Sequence, residues 1–251
     1  MASTDRAEVP ALVQMASHPL RWALLCELAA GDRRVRELTA AVDEPQNLVS
    51  YHLRLLRSAG LIAARRSTFD GRDTYYHLDV GNCGRAFADA GAALHPALAP
   101  AATRKPAAGS VLFLCTGNSA RSPIAEALLR EKGGGHVRAC SAGSDPKPEL
   151  HRNALRVMRE MYGIDLGGRR PQPLTAISRR SFDHVITLCD KVREYARDHG
   201  LATTMHWSLP DPSAAGGNDR VSYPEFRRVA EELNSRIDSL LPVLGSHRTG
   251  R

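Results

Sequence analysis

The chain has 251 residues, a length that predicts two domains at roughly 100–200 residues each. Hydrophobic residues make up 43% and charged residues 24%, which is normal for a globular protein and excludes a wholly disordered chain. The net charge of +7 favours an anionic partner without identifying it. No apolar run approaches the roughly 20 residues of a membrane helix, and no secretory signal pattern is present, so we expect a cytoplasmic protein without a membrane partner.

The first segment, residues 1–95, has the pattern of several helices followed by a hairpin. Apolar periodicity and helix-breaking residues predict three helices, over residues 12–30, 35–42 and 45–59. Two strands, 61–66 and 74–78, then flank a turn at 69–71. This order predicts a winged helix-turn-helix, mostly α with a β-hairpin wing.

The third predicted helix and the hairpin resemble the ArsR/SmtB family of winged-helix repressors, over about residues 10–95. The resemblance implies a double-stranded DNA operator and a homodimer that pairs through helices near 10–29 and 83–95. Polar residues on the early turns of the third helix would contact base edges, and nearby arginines would contact phosphates. The predicted DNA-binding residues are Gln46, Asn47, Ser50, Tyr51, His52, Arg54, Arg57, Arg65, Arg66 and Arg72. A helix-turn-helix that only dimerises is the alternative.

A metal-sensing site is not predicted in this segment. Arsenic-responsive members of the ArsR/SmtB family carry Cys-x-Cys before the recognition helix, where this chain has Arg-Val-Arg at 34–36. Cys26 lies on an apolar helical face and is predicted to be in the core, whereas Cys83 is less obviously buried. His77 and His95 are isolated. We therefore predict no metal site.

Residues 96–109 contain nine Ala or Pro in fourteen positions, a composition that resists both helix and sheet and predicts a linker. The second domain is predicted over 110–251. Its strands are expected at 110–115, 136–142, 184–188 and 203–209, and its helices near 122–132, 150–161, 191–199 and 222–241. This alternation predicts an α/β domain with a four-stranded parallel sheet.

The most specific motif in the chain is a loop between the strand at 110–115 and the following helix. Cys115, five residues and Arg121 can form a cradle of backbone N–H groups that is closed by a guanidinium. The same positive field predicts a pKa of Cys115 lowered from about 8.5 to about 3.5–7.5. The predicted oxyanion-binding residues are Thr116, Gly117, Asn118, Ser119, Ala120, Arg121 and Ser122. A buried cysteine before a purely structural helix is the alternative.

This loop, with Ser122-Pro123, resembles the low-molecular-weight protein tyrosine phosphatase family and the related thiol-dependent arsenate reductases, over about residues 110–245. The segments 141–143, 188–190 and 206–212 resemble other motifs of that superfamily, the last two in reductase-like form. The resemblance implies roles for four catalytic residues. These are Cys115 as nucleophile, Arg121 as oxyanion ligand, Asp211 as general acid and Cys189 as second redox cysteine. Asn118 is expected to brace the loop, with weaker support from Glu126 and Ser141.

The sequence also departs from both branches of this superfamily. Ser213 and Ala214 follow the Asp-Pro pair, where many phosphatases have aromatic residues that stack on a phosphotyrosine ring. Ala120 replaces an inner-loop cysteine, and no cysteine follows Cys189, which excludes a three-thiol relay. One nucleophile and at most one resolving thiol remain. We therefore expect no bound cofactor and an external thiol reductant such as mycothiol, glutathione or a redoxin.

These features favour a bifunctional protein, a transcriptional regulator joined to a thiol-dependent arsenate reductase. Two alternatives remain open: a low-molecular-weight phosphatase fused to a DNA-binding domain, and a non-catalytic oxyanion-sensing transcription factor. The oxyanion would be arsenate or phosphate. Cys189 could also be a small apolar residue that ends a buried strand, and Asp211 a turn residue before proline.

Overall fold

The computed structural model describes residues 9–67, 71, 73–94, 109–177, 182–214, 219–241 and 243–244. The chain forms two compact units, one built from Met1–Arg65 and Asp73–Thr103 and another that includes Arg104–Arg251. The predicted linker lies outside the described residues except for Gly109, and so does the predicted turn at 69–71 except for Gly71. Within the described residues, no helix is both long and apolar enough to span a membrane.

The first unit is a winged helix-turn-helix, as predicted from the sequence. Its elements are α1 (Ala11–Ala16), α2 (Pro19–Ala29), β1 (Arg33–Arg34), α3 (Val35–Val42), α4 (Gln46–Ser58), β2 (Ile62–Arg66), β3 (Thr74–Leu78) and α5 (Val80–Leu94). The strands form a small sheet in the order β1-β3-β2, with β1 antiparallel to β3. Helices α3 and α4 form the helix-turn-helix, and β2 and β3 form the wing.

The prediction of one helix over 12–30 was wrong, because the chain breaks between α1 and α2. Pro19 is the first residue of α2, and the residue before a proline is disfavoured in helical conformation. His18 accordingly has φ −85° and ψ 124°. The Nδ1 atom of His18 accepts a hydrogen bond from the amide of Leu20 at 3.2 Å and so caps the second helix.

The two cysteines of the first unit are placed oppositely to the prediction. Cys26 is exposed, because the buried face of α2 follows Leu24, Leu25 and Leu28 and leaves position 26 on the other side. Cys83 is buried, and its thiol donates a hydrogen bond to the carbonyl of Leu61 at 3.4 Å. Burial, followed by the nearby Asp79, raises the pKa of Cys83 to about 11.

The second unit is the predicted parallel α/β domain. Its elements are β4 (Gly109–Cys115), α6 (Arg121–Lys132), β5 (Val137–Gly143), α7 (Arg152–Tyr162), β6 (His184–Thr187), α8 (Asp190–Asp198), β7 (Met205–His206) and α9 (Asp219–Leu240). The four strands pair in parallel in the order β5-β4-β6-β7. The predicted strand at 203–209 is shorter, because its partner β6 ends at Thr187, which is in register with His206.

The sheet topology fixes where a ligand can bind in this unit. Strand β4 lies in the interior of the sheet, with β5 on one side and β6 on the other. Its side chains Val111, Phe113 and Leu114 are fully buried in the core. The strand order reverses at β4, and the crevice at the carboxyl ends of strands next to such a reversal is the usual binding site of an open parallel sheet. Cys115 is the last residue of β4 and lies at this point.

Candidate active site

The loop that follows β4 curls around the sulfur of Cys115. Asn118 takes a left-handed conformation with φ 44°, and its amide donates a hydrogen bond to the Sγ atom of Cys115 at 3.2 Å. Ala120 is the N-cap of α6 and has no side chain that could accept from the first N–H groups of the helix. These N–H groups are therefore available to an anion above Cys115.

A chain of side-chain hydrogen bonds supports the loop from behind. The Ser122 Oγ and Cys115 Sγ atoms are 2.9 Å apart, and the side-chain amide of Asn118 donates to Ser122 and to Ser141, each at 2.9 Å. Ser141 in turn donates to Glu126 at 2.7 Å. The side chains of Asn118 and Ser122 therefore hold the loop. Within the described part of the chain, Thr116, Gly117, Ser119, Ala120 and Arg121 are the loop residues that line the pocket with Cys115.

The pKa of Cys115 shifts in the direction opposite to the sequence-based expectation. Cys115 is only 2% exposed, and this burial raises its pKa. Arg121 lowers the pKa of Cys115, Cys189 raises it, and the hydrogen bond from Ser122 lowers it. The sequence indicates the nearby cation and the helix start, which favour the thiolate. It does not show how deeply Cys115 is buried at the end of β4, because that burial depends on tertiary packing.

Ser122→Ala is expected to raise the pKa of Cys115 further, because the variant loses a hydrogen bond to the thiolate. Such bonds to charged groups contribute about 1.5–3 kcal/mol, so the iodoacetamide reaction of Cys115 at neutral pH should slow about tenfold or more. Peptide mass spectrometry across a pH series measures this rate. The exposed Cys26 in the same sample is the internal control. An unchanged pH profile for Cys115 would contradict the assignment of Ser122.

Arg121 and Asp211 meet at the same pocket. The Nη1 atom of Arg121 donates to the carbonyl of Leu209, and its Nη2 atom to the Oδ2 atom of Asp211, both at 3.2 Å. The other oxygen of Asp211 accepts hydrogen bonds from the Ser213 amide at 3.0 Å and the Ser213 hydroxyl at 2.7 Å. Sequence analysis missed the role of Ser213, although an Asp followed two residues later by Ser is a recognised turn signal. Both readings of Asp211, site residue and turn residue, fit these contacts.

The ionisation of Asp211 bears on its predicted role as a general acid. Partial burial raises the pKa of Asp211, but Arg121 and the two Ser213 donors outweigh it and hold the pKa below its ordinary value. Asp211 is therefore ionised at neutral pH in this arrangement. An ionised carboxylate orients Arg121 and must first take up a proton before it can act as an acid.

Asp211→Asn is expected to affect two reactions differently. Phenyl phosphate has a poor leaving group that needs a proton, so its hydrolysis should fall by about 10²-fold or more. Arsenate carries its own hydroxyl groups, so arsenite formation should fall by less than about tenfold, mainly through loosening of Arg121. Parallel kcat/KM measurements on the two substrates test this. Equal losses would assign Asp211 the same task in both reactions.

Cys189 lies in the same pocket as Cys115. It follows β6 as the N-cap of α8, is 2% exposed, and its Sγ atom is 3.4 Å from the Thr116 hydroxyl oxygen. The next residue, Asp190, is buried and accepts a hydrogen bond from Ser208 at 2.5 Å, with the Nε2 atom of His206 at 3.3 Å. Sequence analysis missed this network, which fixes the start of α8 against the segment that leads to Asp211.

The pocket in front of the loop has a volume of about 400 Å³. Its base contains the buried Cys115, Arg121 and Cys189, and the half-buried Asp211 lies beside Arg121. Its walls include Asp145, Lys147, His151, Lys191, Ser213 and Ala214. Among the described lining residues no Phe, Tyr or Trp is present, which agrees with the missing aromatic residues after Asp-Pro. The pocket suits a small tetrahedral oxyanion better than a phosphorylated aromatic ring.

In the first unit, helix α4 presents most of the predicted DNA-binding residues to solvent. Gln46, Asn47, Tyr51, Arg54 and Arg57 are exposed and Ser50 is half-buried, while in the wing Arg65 is half-buried and Arg66 exposed. Arg72 lies outside the described residues. Assigning His52 to the DNA-contacting face was wrong. His52 is 4% exposed because it shares the buried face of α4 with Val49 and Leu56, and its ring packs at a tilt of 41° against that of His18, with the ring centroids 4.4 Å apart.

The segment before α4 that holds Arg34 and Arg36 forms an ion-pair cluster. Arg34 pairs with Glu37 at 3.0 Å and with Asp73 at 3.2 Å, and Arg36 pairs with Asp73 at 3.4 Å. These contacts tie α3 to the start of β3. Within the part of the chain that the structure describes, no group of three or more His, Cys, Asp or Glu side chains is placed to hold a metal ion.

The described units thus define a protein with a winged helix-turn-helix and an α/β domain that carries a buried cysteine in the loop between a central strand and a helix. The chain belongs to the low molecular weight phosphotyrosine protein phosphatase family, which residues 110–249 match. Residues 18–64 match the arsR family of bacterial regulatory proteins.

Curated relatives of the second unit are arsenate reductases. That of Bacillus subtilis (strain 168) is 31% identical over 128 residues, which cover 51% of this chain and 91% of the relative. That of Halalkalibacterium halodurans is 34% identical over 132 residues, with the same coverage of both chains. A solved structure of an arsenate reductase in the phosphate binding state has a TM-score of 0.45 and 28% identity, covering 55% of this chain and 99% of that one.

Proposed function

We propose that this chain is a DNA-binding transcriptional regulator joined to a thiol-dependent arsenate reductase. The carrying observation is the second thiol at the oxyanion loop, with Cys189 lining the pocket of Cys115 and 3.4 Å from Thr116. A phosphatase hydrolyses its covalent intermediate with water and needs no second thiol. A reductase needs a second thiol, which attacks the sulfur of the Cys115 adduct and releases arsenite. The similarity of the second unit to arsenate reductases supports the same choice.

The reaction begins with arsenate bound by the loop N–H groups and Arg121. The Cys115 thiolate attacks arsenic, an S–As bond forms, and one arsenate oxygen leaves as water after taking up protons. A second thiolate then attacks the sulfur of Cys115. A disulfide forms, and the electron pair of the broken S–As bond stays with arsenic, which leaves as arsenite. Two thiols are oxidised as arsenic is reduced by two electrons.

The second thiolate is supplied either by Cys189 or by an external reductant. If Cys189 attacks, the product is a Cys115–Cys189 disulfide, and an external thiol such as mycothiol or glutathione, or a redoxin, must reduce it. If an external thiol attacks, it forms a mixed disulfide with Cys115, which a further thiol resolves. Both routes have the same overall stoichiometry and differ in the intermediate that accumulates.

A single turnover of the fully reduced protein with arsenate, without external thiol, tests the proposal. Intact mass and an arsenite assay are read on wild type, on Cys189→Ser and on Cys140→Ser as a matched cysteine control. If wild type and Cys140→Ser release arsenite and lose two thiols, while Cys189→Ser does neither, Cys189 is supported as an internal resolving cysteine. Release only after mycothiol, glutathione or a redoxin is added would keep the reductase and leave Cys189 without this role.

The second candidate is a phosphatase, which the contact of Asp211 with Arg121 at the pocket favours. In that reaction Cys115 takes the phosphoryl group from an ester and water removes it with the help of Asp211. Absence of arsenite with every reductant, together with hydrolysis of aryl phosphate that requires Cys115 and Asp211, would make the protein a phosphatase and the reductase proposal wrong.

The first unit would bind an operator as a homodimer. The outer helices carry exposed apolar side chains, with Val13 of α1 at 45% exposure and Phe87 and Leu94 of α5 at 52% and 80%. Helices α1 and α5 pack together within the unit, so these side chains can form one face. Pairing of two such faces would cover them and present two α4 helices to the half-sites of a palindrome.

Asn47→Ala is expected to weaken operator binding by about tenfold or more, because a base-edge contact contributes roughly 1–3 kcal/mol. Asn47 is exposed in the first turn of α4. Fluorescence anisotropy with DNA from the region upstream of the protein's own gene measures the affinity, and Ser58→Ala at the far end of α4 is the matched control. Full affinity in both Asn47→Ala and Tyr51→Ala would show that α4 does not read the bases.

A further inference from the structure

Two exposed lysines from different segments line the candidate active-site pocket. Lys147 follows β5, and its amide donates to the carbonyl of Gly117 at 2.9 Å. Its side chain passes over the loop, since the Cγ atom would lie 3.2 Å from a Cβ atom built on Gly117. Lys191 lies in the first turn of α8, two residues after Cys189, and lines the same pocket. The pocket that contains Cys115 is therefore lined by two lysine side chains.

Within the described residues, these ammonium groups are not used in ion pairs. Neither Lys147 nor Lys191 forms an ion pair with any carboxylate in the described residues, whereas Arg121 at the base is paired with Asp211. Asp145 also lines the wall, so the two lysines and this aspartate leave a formal charge of +1 when His151 is neutral. An incoming molecule thus meets uncompensated positive charge at the pocket mouth.

Arsenate alone does not account for both lysines. The loop amides and Arg121 already surround the space directly above Cys115. On the external-thiol route a second reactant also enters this pocket, because the sulfur of that thiol must reach the sulfur of Cys115 to resolve the arsenic adduct. The two lysines line the pocket that this thiol enters. No Phe, Tyr or Trp is among the described lining residues, so an apolar reductant would find little surface to pack against.

We propose that Lys147 and Lys191 recognise the carboxylate of a low-molecular-weight thiol that resolves the Cys115 adduct, an inference that rests on the proposed reductase function. In a cysteine-type thiol the carboxylate sits on the carbon next to the one that bears the sulfur. When that sulfur is at Cys115, the carboxylate is at the level of the pocket wall. The ligand class is thus a thiol with a free carboxylate at this position, such as cysteine or N-acetylcysteine, in preference to a thiol whose carboxyl group is amidated and uncharged.

The reaction with this thiol balances with two molecules of it. The first thiolate attacks the sulfur of Cys115, an S–S bond forms, and the S–As bond breaks with its electron pair leaving on arsenite. The second thiolate attacks the mixed disulfide and releases Cys115 as thiolate and a small-molecule disulfide. Arsenate and two thiols therefore give arsenite, one disulfide and water.

The experiment compares two thiols that differ in charge alone, N-acetylcysteine and N-acetylcysteine amide, at saturating arsenate. Arsenite formation is expressed as a second-order rate constant per thiolate, so that the different thiol pKa values do not enter. Exposed ion pairs are weak, so wild type should prefer the anionic thiol by about three- to tenfold at low ionic strength. The preference should shrink as salt is added, because exposed charges are screened.

Variants assign the preference to the two lysines. Lys147→Gln with Lys191→Gln should bring the ratio of the two rate constants close to unity, since the ratio cancels any weaker arsenate binding. Lys132→Gln removes the same charge at the last residue of α6, where Lys132 pairs with Asp238, and should keep the wild-type ratio.

The possible results distinguish a failure of the lysine proposal from a failure of the proposed reductase function. Equal rates with the two thiols in wild type, or an unchanged preference in the double variant, would overturn the role of the lysines. Arsenite formation that requires a redoxin and proceeds with neither small thiol would also overturn it, while the reductase stands. No arsenite with any reductant would overturn the proposed reductase and this inference with it.

Discussion

Cys115→Ser is expected to abolish arsenite formation and aryl phosphate hydrolysis while leaving phosphate binding close to wild type. A serine hydroxyl is far less acidic than a thiol and cannot form a disulfide, so both the attack and the redox step are lost. The loss in kcat should exceed about 10⁴-fold, as is typical when a covalent nucleophile is removed. Anion binding should persist, because the loop N–H groups and Arg121 do not depend on the sulfur.

The two readouts must be made on the same preparation. Arsenite and phenol release measure the chemistry, and calorimetric titration with inorganic phosphate measures the binding. Cys140→Ser is the matched control, since Cys140 lies on β5 and does not line the pocket of Cys115. Arsenite formation that survives in Cys115→Ser would place the nucleophile elsewhere, and lost phosphate binding would show that the sulfur shapes the loop.

The features of the site that lie close together in the chain could be predicted from the sequence. A buried strand, a cysteine, a short polar loop and an arginine at a helix start are all contained in 110–122, and strand ends of a parallel sheet meet at one edge. The same rule leads to Cys189, which follows another strand. The winged helix-turn-helix could be predicted for a similar reason, because its helices and wing are consecutive.

The features that depend on tertiary packing were missed or wrong. The contacts of Asp190 with Ser208 and His206 join segments whose sequence separation gives no signal. Burial of Cys115 raises its pKa, and burial is a property of the assembled domain. His52 follows the exposed Tyr51 and precedes the buried Leu53, so a rotation of one residue along the helix decides whether it faces DNA or the core.

Gly143→Ala is expected to disrupt the oxyanion loop from outside it. Gly143 is the last residue of β5 and is in register with Cys115. A Cβ atom there would lie 2.5 Å from the carbonyl oxygen of Thr116 and 3.0 Å from the amide nitrogen of Asn118. Both atoms belong to the loop backbone, so relief requires a shift of the loop itself. The Asn118 amide that donates to the Cys115 sulfur would move with it.

Activity and phosphate affinity should therefore fall together in this variant. A misplacement of about 1 Å at reacting groups can reduce a rate by about 10²-fold, and overpacking of this kind costs about 1–3 kcal/mol of stability. Thermal unfolding, phosphate titration and arsenite formation are measured side by side. Gly84→Ala in α5 is the control, because nothing lies within 4 Å of its Cβ position and alanine favours a helix.

The comparison of Gly143→Ala with Cys115→Ser separates two contributions to the site. The serine variant keeps the shape of the loop and loses the nucleophile, so it should bind phosphate without turnover. The alanine variant keeps the nucleophile and loses the shape, so its Cys115 should still be alkylated while phosphate binding weakens. If Gly143→Ala keeps wild-type phosphate affinity, the end of β5 has shifted and the loop has kept its shape. The close packing of β5 against residues 116–118 would then not be required to position the loop.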